Sequence, residues 1–235
     1  MDEFERGTAT DDHSSTCDLE FLNGRLEELK RDGCNILVTG SVSPSVTFHA
    51  TRNLFGDDRC DRRRQRIVAC TDLHPPGNHY LLTGYDEPPT VVSSAGLERS
   101  LATVENGGTE PLPTTPTEWV ETFTQEVCAT IGDADATVDG LESAQLRLSV
   151  MTLRPIVESV SYRRADRSLR LVTNLVNGVA GMAHYHLPTD RDAEITTRHA
   201  DLFDLEVELR KRDGLPAESR WHFPDDGKST TWYTL

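Results

Sequence analysis

The chain has 235 residues and a formal net charge of −15 at pH 7, and only three of its 24 basic residues are lysines. Such an acidic surface repels nucleic-acid phosphates, and no apolar run approaches the ~18 residues of a membrane span, so we expect a soluble cytoplasmic protein with neither partner. Abundant carboxylates with scarce lysine favour a halophilic protein, because molar salt shortens the Debye length to ~3 Å and screens the repulsion, with an ordinary acidic cytosolic protein as the alternative.

The N-terminal part combines a polar tail with one helix. Residues 1–17 are acidic and lack apolar periodicity, which predicts a disordered N-terminus before a single folded domain over 18–235. Leucines spaced three and four apart predict an amphipathic helix over Asp18–Arg31, and Gly33 suits the left-handed cap that ends it. The stripe covers barely two heptads, so we interpret it as a face packed on its own domain, with a partner-binding seam as the alternative.

A strand, a small-residue loop and a helix follow, and the rest of the chain is arranged around them. Ile36–Val38 is predicted to be a buried strand, the loop starts at Gly40, and the helical pattern runs from His49 to Phe55. Phosphate-binding loops share this arrangement, because backbone N–H groups and a helix N-terminus then face the anion.

The loop departs from the phosphate-binding sequence G-x-x-x-x-G-K-[ST] at its most important position. Aligned on Gly40, Ser45 replaces the second glycine, Val46 replaces the lysine, and Thr47 keeps the hydroxyl. We expect Val46 to pack against the helix or sheet around it. The degenerate phosphate loop predicted in this way comprises Gly40, Ser41, Ser43, Ser45, Val46 and Thr47.

A basic run and a second buried strand come next. Five arginines within Arg59–Arg66 are interpreted as a solvated loop entering the strand, with a contact to phosphate or an acidic partner as the alternative. The strand is predicted over Ile67–Thr71, and Asp72 and His74 follow its end. Ligands gather at the carboxyl ends of strands in open α/β sheets, so these two residues are a candidate polar site, either a catalytic base or a solvated turn.

Strands and helices alternate through the rest of the chain. The patterns predict strands over 79–83 and 90–94, a helix opening at Pro116, a strand over 146–150, a helix capped by Thr152, a helix over 166–181, a strand over 183–187 and a helix over 192–203. Alternation over 205–210 and 218–223 predicts a C-terminal antiparallel β-hairpin. The predicted fold class is therefore an α/β sandwich with a mostly parallel central sheet and helices on both faces.

The strand over Leu146–Val150 is followed by Met151. A P-loop enzyme needs an acid at the end of such a strand to hold the magnesium-bound water. A thioether is no ligand for a hard cation, so Met151 is a degenerate version of this position. With the lysine also replaced by Val46, we expect no catalytic residues, no metal and no cofactor.

Two histidines share one face of the predicted strand over 183–187. His184 and His186 are two residues apart and could begin a zinc site. No cysteine or acid stands at a matching spacing, so we interpret them as a structural pair.

Three stretches together resemble a known family. They are the loop after Val38-Thr39-Gly40, the stretch Ser149–Pro155, and the ending Val207–Arg210, Asp213-Gly214 and Arg220–His222. They resemble a haloarchaeal family of uncharacterised function whose members are similar to degenerate RecA/KaiC-like ATPases, also labelled HTR-like. The resemblance covers roughly residues 18–235 and implies a RecA-like P-loop sandwich.

The resemblance and the missing charges together predict a catalytically inactive RecA/KaiC-like pseudo-ATPase. We expect a regulatory or signalling module that binds another protein or forms a homo-oligomer. The first alternative is a nucleotide- or anion-sensing protein that binds NTP without efficient hydrolysis, since backbone N–H groups can hold phosphate without the lysine. The second is an enzyme of another class acting at Asp72 and His74.

Overall fold

The computed structural model of the protein describes residues 11–56, 63–71, 84–93 and 115–235, with side chains described from Phe21 onward. The helices are α1 (Asp11–Asp32), α2 (Pro44–Phe55), α3 (Pro116–Thr137), α4 (Arg154–Ser159), α5 (Tyr162–Gly178) and α6 (Glu194–His199). The strands are β1 (Cys34–Thr39), β2 (Gln65–Cys70), β3 (Thr90–Ser93), β4 (Leu146–Val150), β5 (Met182–Leu187), β6 (Leu205–Lys211), β7 (Ala217–Phe223), β8 (Lys228–Ser229) and β9 (Tyr233–Thr234).

The strands form one mixed sheet whose order is β3-β2-β4-β5-β1-β6-β7-β8, and β9 also pairs with β7. All neighbours from β3 to β6 are parallel, whereas β7 is antiparallel to β6, β8 and β9. Buried parallel strands contain apolar runs because both faces are covered, which explains the patterns of β1 and β2, whereas the fully buried β4 also contains Arg147 and Ser149. The predicted mixed α/β fold, with a mostly parallel sheet and a C-terminal antiparallel hairpin, is confirmed.

Helices cover both faces of the sheet. Alternate residues of β1 point in opposite directions, so Leu37 joins one apolar cluster while Ile36 and Val38 join another. The first cluster contains residues of α3 and α5, such as Phe123 and Leu169, and the second contains residues of α1 and α2. Within the residues described, no helix combines the length and apolar character needed to cross a membrane.

Several boundaries differ from those predicted. The second helix begins at Pro44 rather than His49, because proline at the first helical position has the right φ and lacks an N–H that would otherwise be unpaired. Helix α5 begins at Tyr162 rather than Asp166, and the helix predicted over 192–203 is α6 followed by a short 3₁₀ turn. The first begins at Asp11, inside the segment predicted to be disordered, while residues 1–10 lie outside the described chain. Extending a helix costs less than nucleating one, so ends are poorly fixed by pattern.

Candidate functional site

A cavity of about 490 Å³ opens at the carboxyl ends of β1, β4 and β5. The loop after β1 and the start of α2 supply Gly40, Val42 and Thr47, and the segment after β4 supplies Met151 and Arg154. These segments meet because β1 and β4 run parallel on either side of β5, so their ends emerge at the same edge of the sheet. Of the six residues predicted for the degenerate loop, Gly40 and Thr47 line this cavity, and the strand-end residue Met151 lines it with them.

The loop itself is short, and its backbone donors are largely occupied. Only four residues, 40–43, separate β1 from α2, and Pro44 has no N–H to offer. Four N–H groups of the loop and first turn donate to protein carbonyls: Gly40 to Thr189 at 2.8 Å, Val42 to Gly40 at 3.0 Å, and Val46 and Thr47 to Ser43 at 3.0 and 3.2 Å. Four of the seven N–H groups between Gly40 and Thr47 are therefore already bonded within the protein.

Gly40 has a packing reason to be glycine. Its φ is +111°, a value that L side chains rarely adopt, and a Cβ built there would lie 2.1 Å from the carbonyl oxygen of Leu209 in β6. The loop leaves the sheet in direct contact with the neighbouring strand. The glycine is thus explained by the close approach of β1 and β6, independently of any phosphate.

Val46 turns away from the cavity. Its side chain is 7% exposed and belongs to the apolar cluster that includes Leu22 of α1 and Ala50 of α2. Packing of Val46 against its surroundings is thus as expected. The loop serines are exposed: Ser43 and Ser45 have hydroxyls 3.0 Å apart, and Ser41 lies 3.4 Å from a carboxylate oxygen of Asp190.

Met151 closes one side of the cavity with a thioether. It is 9% exposed and packs in a small apolar cluster with Phe55, Val68 and Cys70. The buried hydroxyl of Ser149 donates to its sulfur at 3.4 Å. The hydroxyl of the next residue, Thr152, accepts the N–H of Arg154 at 3.3 Å, but the N-cap of α4 is Leu153, which makes no side-chain capping bond, so the prediction that Thr152 caps this helix is wrong.

The polar lining of the cavity carries little charge. Among the described lining residues Arg154 is the one arginine or lysine, and its Nε lies 2.8 Å from Glu158, which also lines the cavity. The ring of His186 is buried, and its Nε2 lies 2.8 Å from the hydroxyl of Thr51. Burial lowers the pKa of His186 to about 3, so the ring is neutral at pH 7.

One polar contact at the base of the cavity was not predicted. The hydroxyl of Thr39 donates to Glu206 at 2.7 Å, and the Nε of Arg191 lies 3.0 Å from the other carboxylate oxygen. Burial raises the pKa of Glu206, while the contacts with Thr39 and Arg191 oppose that rise. No local pattern could have indicated this group, because its members come from three separate segments and meet only through the sheet.

The two histidines of β5 lie against each other with ring centroids 5.4 Å apart, and His184 also packs edge-on against Phe55. The Nε2 of His184 is buried and has no hydrogen-bond partner in the described structure. Burial and the neighbouring charges lower the pKa of His184 well below its ordinary value. Within the ranges that the structure describes, no group of three potential metal ligands occurs.

Part of the predicted basic run has a structural role. Arg64 donates to the carbonyl of Phe55 at 2.8 Å and Arg66 to that of Gly56 at 3.1 Å, so both bind the C-terminal end of α2. Cations are favoured there by the helix dipole. For these two arginines, neither a solvated loop nor a phosphate contact describes the environment. Asp72 and His74, like the strand predicted over 79–83, lie outside the described residues.

Comparison with known proteins places the chain by family alone. No curated protein matches it. The match to a family covers β1 through most of β6, and therefore includes the loop, the cavity and the strand ends described above. Because residues 33–209 match the family of unknown function DUF7504 and make up well over half of the sequence, the chain belongs to that family.

Proposed function

We propose that this protein is a RecA/KaiC-like pseudo-ATPase that does not hydrolyse nucleotides and acts as a regulatory, protein-binding module of a halophilic organism. The observation that carries the proposal is the fate of the two catalytic positions. Val46, at the lysine position, is buried in the apolar core, and Met151, at the position of the magnesium-holding acid, presents a thioether to the cavity. The frame of a nucleotide site is retained without its charges.

Support for a RecA-like ancestry comes from the arrangement of elements. A central parallel strand, β1, leads through a glycine-containing loop into α2, and the end of β4 reaches the same cavity across β5. P-loop NTPases use these two places for the phosphate-binding loop and the metal-holding acid. Helices cover both faces of the sheet, and antiparallel strands complete it.

Electrostatics argue against nucleotide binding. A triphosphate brings roughly four negative charges, which P-loop proteins offset with the lysine, magnesium and backbone N–H groups. Here Arg154 is paired with Glu158, four of the seven N–H groups between Gly40 and Thr47 are bonded to carbonyls, and the net charge is −15. Bringing a polyanion into such a cavity without compensating charge is unfavourable.

A nucleotide or anion sensor is the second candidate, and the cavity is the observation that favours it. Its volume of about 490 Å³ lies within the range of small-molecule sites, and Arg154 and Thr47 line it. Of these two functions, the pseudo-ATPase explains the apolar residues at both catalytic positions, whereas the sensor explains only the space.

Isothermal titration calorimetry with ATP, GTP and ADP, with magnesium and in multimolar KCl, separates the two functions. We expect no detectable heat for the wild-type chain. Micromolar binding, about −8 kcal/mol, that is lost in Arg154→Gln would overturn the proposal and establish the sensor. Magnesium-dependent release of phosphate from ATP would contradict both. The oligomeric state, measured by sedimentation in the same buffer, decides whether a second copy is one of the partners.

A further inference from the structure

A second groove lies between α3 and α5, on the face of the sheet opposite α2. Its volume is about 670 Å³. Along α5 it is lined by Arg163, Arg164, Arg167 and Leu171. Arg163, Arg167 and Leu171 are each four residues apart, so they lie on one side of the helix. None of these residues takes part in the cavity at the strand ends.

The arginines of this groove are exposed and poorly paired. Within the described residues, Arg163 and Arg167 form no ion pair. The contact of Arg164 with Glu121 is long, at 3.4 Å, and both side chains are more than half exposed. By contrast, Arg170 is on the same helix but does not line the groove, and its Nε lies 2.9 Å from a carboxylate oxygen of Asp166. In a chain with 39 acidic residues, three neighbouring arginines with so little carboxylate contact are unusual.

Apolar surface continues the line of arginines. Leu171 is 55% exposed and lies one turn beyond Arg167 on the same side of α5. Val160 and the buried Val120 line the floor of the groove. A groove with guanidinium groups along one side of α5, Leu171 one turn beyond them and aliphatic side chains on its floor is complementary to an amphipathic ligand.

We propose that the groove between α3 and α5 docks an acidic amphipathic helix of a partner protein. Its carboxylates, spaced one turn apart, bind Arg163 and Arg167, and an aliphatic side chain a turn further on covers Leu171. Guanidinium groups suit this ligand because their planar fork pairs with carboxylates bidentately. The inference rests on the proposed protein-binding function and gives the chemistry of the partner.

A nucleic acid is a poorer ligand for the same surface. Its phosphates would meet the three arginines, but it has no aliphatic group to cover the exposed Leu171, whereas an amphipathic helix has one. The apolar contact also matters in concentrated salt, where screening weakens the attraction between charges while burial of apolar surface persists.

The test uses a fluorescein-labelled helical peptide of about 15 residues with glutamates four apart followed by leucine, and a matched peptide with glutamine in place of glutamate. Anisotropy is measured at the lowest KCl concentration at which the full chain is folded by circular dichroism. We expect the wild type to bind the glutamate peptide. Arg163→Gln with Arg167→Gln should weaken binding about tenfold, since two partly exposed ion pairs are lost. The matched control on the same helix, Arg170→Gln, should stay within about twofold.

Leu171→Ser alone should also weaken binding of the glutamate peptide, because it removes the apolar contact at the end of the groove. The inference is overturned if the wild type binds neither peptide, if the double arginine variant binds like the wild type, or if single-stranded DNA displaces the peptide and Leu171→Ser has no effect. The two proposals can fail independently. Nucleotide binding in the calorimetry would overturn the pseudo-ATPase but would not affect the proposal for the groove. Failure to bind the peptide would overturn the groove proposal and leave the nucleotide result unchanged.

Discussion

Val46 is the residue on which the interpretation of the cavity depends. It occupies the lysine position of the loop by sequence, but its side chain lies in the apolar core with Val38 and Ala50. Val46→Lys therefore should not create a phosphate site. We expect it to destabilise the fold by about 3 kcal/mol, because an ammonium group would be placed among apolar side chains without a partner. Urea unfolding in multimolar KCl measures the effect.

The neighbouring position provides the control. Thr47 is half-buried and lines the cavity, so a lysine there can reach solvent. Thr47→Lys should change the free energy of unfolding by less than about 1 kcal/mol. Equal stability of the two lysine variants would show that Val46 is not held in the core.

His186 should make stability fall at acid pH. Burial holds its pKa at about 3 in the folded state, whereas an unfolded histidine titrates near ~6.5. Below pH ~6.5 the unfolded chain takes up a proton that the folded chain does not, so the stability present at neutral pH is lost as pH decreases. For this one group the loss is ~2 kcal/mol between pH 7.5 and 5.

Unfolding curves of His186→Gln, which retains a hydrogen-bonding group for Thr51, should show a smaller loss over this pH range than the wild type. His49→Gln is the control, because His49 is exposed on the same helix as Thr51. An acid dependence that is identical in all three proteins would mean that His186 becomes protonated in the folded state.

Individual residues were predictable where chemistry alone decides their environment. The apolar character of Val46 already indicated that it would pack inside the domain, and its side chain is buried. The reason for Gly40 was not predictable, since its contact with Leu209 depends on a strand nearly 170 residues later. The link between Thr39 and Glu206 was missed for the same reason.

At the scale of elements, the close approach of β1 to β6 controls how the loop leaves the sheet. Gly40→Ala would place a Cβ 2.1 Å from the Leu209 carbonyl oxygen, at a φ of +111°. The backbone must shift, and we expect a loss of about 3 kcal/mol in the free energy of unfolding. Chemical denaturation in high salt measures this loss.

Gly132→Ala is the matched variant for this measurement. Gly132 lies inside α3, and nothing lies within 4 Å of the position that a Cβ would take. Alanine there should stabilise the chain by up to about 1 kcal/mol, since it is the better helix former. If Gly40→Ala proves as harmless as Gly132→Ala, the two strands are not in close contact.

Elements with strong periodicity were predicted well. The strand over Leu146–Val150 has the predicted bounds, and the alternating pattern after Leu205 correctly gave an antiparallel hairpin. The predicted start of α2 was wrong. Alignment with the phosphate-loop sequence assigned residues 44–47 to the loop, whereas the helix begins at Pro44. The two-residue strands β8 and β9 carry no pattern of their own, and they exist because β7 offers an edge to pair with.

For the whole molecule, the distribution of charge is the dominant physical feature. Most ion pairs of the described chain are exposed, such as Arg154–Glu158 and Arg164–Glu121. Exposed pairs contribute little, so they do not offset the self-repulsion of a net charge of −15. The basic groove between α3 and α5 is an exception on this acidic surface. Added salt should weaken the binding of an acidic partner in this groove, whereas elsewhere it should stabilise the fold.

Folding should consequently depend on salt. Raising KCl from ~0.1 M to ~3 M shortens the Debye length from ~10 Å to a few Å or less and relieves the repulsion among carboxylates. We expect the midpoint of thermal unfolding to rise by about 10 °C or more, at ~2–4 °C per kcal/mol for a chain of this size. Circular dichroism melts provide the measurement. Sorbitol at matched osmolality is the control, since it favours compact states without screening charge. A midpoint that is unchanged by KCl, or raised equally by sorbitol, would contradict a fold stabilised by charge screening.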